Sequence, residues 1–119
     1  MTAPRPIRRL RAGVATARWT AAQHRQLQRT LPRGGTGGPL APPPARMSAR
    51  NVRIVLAALR VRRASCLERS LVLQAWLAGH GDRRDVVIGV RHEDSLLAHA
   101  WVDGLEDGSR YVELHRLSA

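Results

Sequence analysis

The chain has one cysteine, Cys66, and it stands in a Ser-Cys-Leu-Glu run. Ser65 and Glu68 have the spacing of a capping box, in which a serine oxygen accepts from the amide three residues on and the glutamate reaches back. That places Cys66 at the first position of a helix. Unpaired amides and the positive end of the helix dipole favour a thiolate there, and the Cys66 amide is free to donate to an oxyanion. A helix also begins with Cys for no chemical reason, so the context matters. His99 lies in the run Ala98-His99-Ala100-Trp101-Val102. In extended chain Ala98, Ala100 and Val102 share one face, and His99 and Trp101 share the other. A histidine between alanines is commonly structural. As a general base it needs a thiol on a facing helix, and the Cys66 helix supplies one. A third group must orient the imidazole, and the candidates are Asp103, Asp107 and Glu113. Asp107 belongs to an Asp-Gly turn, and Asp103 is four residues along the His99 strand. Glu113 falls on the following strand, where a hairpin turning at Asp107-Gly108 sets residue 113 roughly opposite residue 102 and makes it the preferred orienter.

The other histidines read as surface or structural: His24 on a basic helix, His80 after a helix end, His92 and His115 near strand ends. None has the i, i+4 or alternate spacing of a metal pair, and a lone Cys makes neither a Cys-based zinc site nor an intrachain disulfide. No metal and no cofactor is expected in this chain.

These residues need elements to position them. Residues 5–31 predict a helix, with Ile7, Leu10, Val14, Ala17, Ala21, Leu27 and Leu31 recurring at helical spacing among arginines. Its apolar face is thin and rich in alanine, so the helix is marginal alone. Residues 32–46 carry Gly34-Gly35, Gly37-Gly38 and Pro42-Pro43-Pro44 and read as a linker. Ser48 to Arg62 predicts a second helix with Val52, Val55, Leu56 and Leu59 on one side, and Cys66 to Ala78 a third, closed by Gly79. Strands are expected at 85–91, 97–102 and 110–114. The expected fold is α+β, with N-terminal helices and a small antiparallel sheet against the Cys66 helix. The division is an arginine-rich helical arm (1–31), a Gly/Pro-rich linker (32–46) and a core (47–119) small enough to profit from a partner.

All 20 cationic side chains are arginine. Fourteen precede Cys66 with no acid among them, and the remaining six share the rest of the chain with all nine acids. The chain is 119 residues long, room for one domain. It holds no apolar run of membrane-spanning length, and no apolar segment follows the first arginines as a secretory signal requires. A cytoplasmic location is expected. The basic half raises an arginine-rich nucleic-acid binder as an alternative. Against it, only 3% of residues are aromatic, which leaves few platforms for base stacking.

Three blocks, Cys66 to Gln74, Val87-Ile88-Gly89-Val90-Arg91 and Ala98 to Val102, resemble in order and spacing the lasso-peptide maturation peptidases. These are the McjB C-terminal-like branch of the transglutaminase-like, papain-related cysteine hydrolases, and the likeness covers roughly residues 50–117. It implies a papain/transglutaminase-like core with a Cys-His-Asp triad that removes the leader peptide from a ribosomally made precursor. Cys66 matches the nucleophile and His99 the general base. The third position matches Glu113, a glutamate displaced by two residues where the family carries aspartate. The resemblance also implies a leader-recognition protein, expected as a separate chain, and an asparagine-synthetase-like lasso cyclase that uses ATP. A second alternative keeps the fold without the chemistry, as a catalytically inactive binding module.

Overall fold

The computed structural model describes residues 5–33, 40–44 and 47–119. Helix α1 runs Arg5–Thr30 and continues into a 3-10 turn, Leu31–Arg33. A second 3-10 turn, Ala49–Asn51, leads into α2, Val52–Val61, and α3 spans Cys66–Gly79. Strands β1 (Val86–His92), β2 (Leu96–Val102) and β3 (Val112–Leu117) complete the α+β order.

Of the apolar residues at helical spacing in α1 only Leu27 is buried, and the rest of the buried face is polar or aromatic. Thr16, Trp19, Thr20, Gln23, His24 and Leu27 are buried, while Ile7, Leu10 and Val14 are exposed. The threonines enter the interior because each hydroxyl finds a carbonyl one turn back: Thr16 Oγ1 donates to Ala12 O at 2.7 Å, and Thr20 Oγ1 to Thr16 O at 2.9 Å. A satisfied hydroxyl carries little burial penalty, so Trp19 and Leu27 decide which side packs. Both join one core with Val55 and Leu59 of α2, Leu71, Val72 and Trp76 of α3, Val86 of β1, and Ala100 and Val102 of β2. Trp19 and Trp76 meet at 5.5 Å between ring centroids. Of the expected linker, residues 34–39 and 45–46 lie outside the described residues. Between them Ala41 accepts from Trp19 Nε1 at 3.2 Å and donates to Gln23 Oε1 at 3.0 Å.

Both core helices end in the same hydrogen-bond pattern. After α2, Ala64 N donates to Leu59 O and Arg63 N to Arg60 O, each at 3.0 Å. After α3, Asp82 N donates to Leu77 O at 2.9 Å and Gly81 N to Ala78 O at 3.1 Å. This closure needs one residue at positive φ. Gly81 takes that place in the second case (φ 82°) and Arg63 in the first (φ 54°). Gly79, the expected terminator of α3, is its last helical residue.

The three strands are antiparallel in the order β2-β1-β3. This corrects the hairpin expected at Asp107-Gly108. β3 pairs with β1, Glu113 lies opposite Gly89, and the ladder shifts register between Ile88 and Gly89. Val86 and Val87 of β1 are buried, the condition of a central strand flanked on both edges. Residues 103–111 carry the chain from the end of β2 back along the sheet to the start of β3. Among the described residues no helix is long and apolar enough to cross a membrane.

Candidate active site

The start of α3 is fixed by the residues its sequence announces. Ser65 Oγ accepts from Glu68 N at 3.1 Å, and Ser65 N donates to Glu68 Oε1 at 2.9 Å. Cys66 is therefore the first helical residue, half-buried against the core. The box is tied to the rest of the helical layer by a buried histidine. Arg62 Nε donates to His24 Nδ1 at 2.8 Å, which leaves His24 Nε2 to donate to Glu68 Oε1 at 3.0 Å. His24, only 1% exposed, thus joins α1, the end of α2 and the first turn of α3 in one chain of hydrogen bonds. Partial burial works against the charge on Glu68. The bonds from the Ser65 amide and the His24 ring outweigh it and hold the carboxyl below the ordinary glutamate range.

A second set of bonds locks α3 onto β2. Ser70, one turn after Cys66, places its hydroxyl 2.7 Å from Cys66 O and 3.2 Å from Ala100 O. One buried hydroxyl thereby spans from the backbone of the cysteine to the residue after His99.

On β2, Ala100 and Val102 point into the core while His99 and Trp101 take the other face of the sheet. There His99 is opposite Gly89 and Trp101 opposite Val87. The His99 ring lies 5.8 Å from the Trp101 ring and nearly parallel to it, and 5.2 Å from the Tyr111 ring. The Arg91 guanidinium covers Tyr111 at 5.4 Å, a cation–π arrangement. Gly89 makes this stack possible. A Cβ there would come within 2.9 Å of Trp101 and 3.0 Å of both Tyr111 Cβ and Val112 O.

His99 Nε2 is hydrogen-bonded to Glu106 Oε2, in the segment that crosses back over the sheet. The other carboxylate oxygen of Glu106 lies 3.7 Å from Arg69 in the first turn of α3. His99 therefore lies on the sheet face away from α3, not facing the Cys66 helix as expected, and the contact that reaches from α3 round the β2 edge to its side is Arg69–Glu106. A carboxylate on Nε2 holds the proton there, so Nδ1 is the ring nitrogen left with a lone pair.

The sequence-selected carboxylates have other partners. Glu113 makes a two-oxygen contact with Arg116 Nε at 2.9 Å. Asp103 pairs with Arg116 at 3.0 Å, and Asp85 with the same guanidinium at 3.3 Å. Hydrogen bonds to Glu113 and then Asp103 hold Arg116 above its ordinary value. Asp107 accepts from Ser109 N at 3.0 Å, which lowers its carboxyl, as the turn reading implies. A hairpin at Asp107-Gly108 points to Glu113 on the next strand and passes over Glu106. Glu106 has no local signal in the sequence, because its loop recrosses the sheet only once β3 pairs with β1. His80 has both ring nitrogens on carbonyl oxygens, Trp76 O at 2.8 Å and Met47 O at 2.9 Å. Among the described residues no group of three His, Cys, Asp or Glu is placed to hold a metal ion.

A family model described as the transglutaminase-like superfamily matches residues 9–113. No curated protein and no solved structure matches the chain. The matched span begins inside α1, takes in Cys66, His99 and Glu106, and ends within β3, so the protein belongs to the transglutaminase-like superfamily.

Proposed function

We propose that this protein is a cysteine peptidase that removes the leader from a ribosomally synthesised lasso-peptide precursor. The observation that carries the chemistry is the carboxylate of Glu106 on Nε2 of His99, joined to the Cys66 helix through Arg69. The leader specificity rests on the resemblance of the Cys66–Gln74, Val87–Arg91 and Ala98–Val102 blocks to the maturation peptidases.

In this reading His99 Nδ1 takes the Cys66 proton, and the thiolate attacks the scissile carbonyl at the leader–core junction. The Cys66 amide, at the head of α3, donates to the oxyanion. The imidazolium, stabilised by Glu106, gives its proton to the leaving amine. The core peptide leaves with the free amine, the leader stays as a thioester on Cys66, and water activated by His99 releases it as a carboxylate. The chain itself uses no cofactor. Its partners are the precursor, a separate leader-recognition protein and an asparagine-synthetase-like cyclase that consumes ATP, all in the cytoplasm.

The test is leader cleavage by the full chain together with the recognition protein, followed by mass spectrometry. Cys66→Ala and His99→Ala abolish cleavage while the circular-dichroism spectrum is kept. Retained cleavage in either folded variant overturns the reading.

A further inference from the structure

We propose that the outer face of α1 docks an acidic amphipathic helix of a partner protein. Three large apolar residues lie exposed on this face, Ile7 at 44%, Leu10 at 68% and Val14 at 45%. They are one and two turns apart, so they form a single stripe. The stripe lies on the solvent side of α1, next to the face that packs on α2 and α3, and Ile7, Leu10 and Val14 stay exposed among the described residues. Leu10, Arg11, Val14, Ala15 and Arg18 line a groove of about 700 Å³ together with Trp19, Pro44 and Met47.

Charge specifies the occupant. Arg11, Arg18 and Arg25 recur at seven-residue spacing beside the stripe and are exposed. A row at that spacing faces one side of a paired helix, where acids on the partner meet it. No acidic residue occurs before Glu68, so the complementary charge must come from elsewhere. A second copy pairing through the same face of α1 would set arginine against arginine. Nucleic acid would engage the arginines but leave the apolar stripe wet. It would also find no exposed aromatic ring to stack on, since Trp19, Trp76 and Trp101 are buried and Tyr111 is half-buried. A flat anionic bilayer does not fill a groove walled by Pro44 and Met47. A helix with leucines along one side and glutamates beside them fills the groove and neutralises the row. This inference stands apart from the chemistry at Cys66.

Fluorescence anisotropy on the full chain at ~150 mM salt tests it with four probes. They are a labelled synthetic Leu/Glu amphipathic helix, the same composition scrambled, a DNA duplex, and phosphatidylserine/phosphatidylcholine vesicles. The amphipathic peptide is expected to bind at least about tenfold more tightly than its scramble and to outcompete DNA and vesicles. The Leu10→Asp/Val14→Asp and Arg11→Glu/Arg18→Glu variants change only exposed positions and each lose about tenfold or more. Equal binding of the scramble, preferred binding of DNA or vesicles, or unchanged affinity in both folded variants overturns the proposal.

Discussion

The Ser70 hydroxyl lies 3.2 Å from the carbonyl oxygen of Ala100 while keeping 2.7 Å to Cys66 O. The helix that carries Cys66 and the strand that carries His99 are therefore indexed to each other by a single buried side chain rather than by apolar packing alone. Ser70→Ala is expected to lower stability by about 1 kcal/mol, the usual worth of such a bond. Because apolar packing tolerates small slips, the same change is expected to lower kcat more than it raises KM. Denaturant unfolding and steady-state cleavage measure the two effects. An unchanged kcat in the stable variant would mean that Ser70 only stabilises the fold.

Glu106, Glu113, Asp103 and Asp107 are separable. Glu106→Gln keeps the shape but loses the charge that stabilises the imidazolium, and kcat is expected to fall about a hundredfold or more. Glu113→Gln and Asp103→Asn loosen the Arg116 cluster, which is exposed and screened by solvent, and leave stability nearly unchanged. A larger kcat loss in Glu113→Gln than in Glu106→Gln would return the orienting role to β3.

Gly89 is expected to be intolerant of any side chain. Gly89→Ala puts a Cβ against Trp101, Tyr111 and the Val112 carbonyl, and the last of these cannot rotate away. The stack around His99 must shift, so kcat falls together with stability. A fully active, fully stable Gly89→Ala variant would show that the stack does not position His99.

The paired helix ends give opposite predictions from one principle. Arg63 holds a positive φ without being glycine, so Arg63→Gly is expected to stabilise the fold by about 0.5–1 kcal/mol. Gly81→Ala is expected to destabilise it by about 1 kcal/mol. Thermal melts of the two variants should move in opposite directions.

Glu68 sets part of the acid limit. Its carboxyl is held below the ordinary value, so it is deprotonated more readily in the folded chain than in the unfolded one. Its contribution is fully present above about pH 4.5 and is lost as pH falls through the lowered value. Urea unfolding at stepped pH should show a shallower acid decline in Glu68→Gln than in the natural chain. Ser65→Ala removes one half of the same cap and should cost about 1 kcal/mol.

The sequence made the local features legible. The capping box at Ser65 and Glu68, the position of Cys66, the Val86–His92 and Leu96–Val102 strands and the alternation that parts His99 from Ala100 all depend on neighbours a few residues away. The features it hid are nonlocal. β3 pairs with β1 because β1 needs both edges covered, and no local signal distinguishes that from a β2–β3 hairpin. The same choice decides that Glu106, and not Glu113, meets His99. The buried face of α1 was hidden for a different reason. Thr16, Thr20, Gln23 and His24 look like solvent-facing residues until each is given the partner that lets it enter the interior.

The most direct test of whether Cys66 is coupled to His99 and Glu106 needs no substrate. It is the rate of iodoacetamide alkylation of Cys66 near neutral pH in the natural chain, in His99→Ala and in Glu106→Gln, with folding checked in each. Alkylation is expected to be at least about tenfold slower in His99→Ala, with Glu106→Gln in between. Equal rates in the three folded proteins would contradict the coupling.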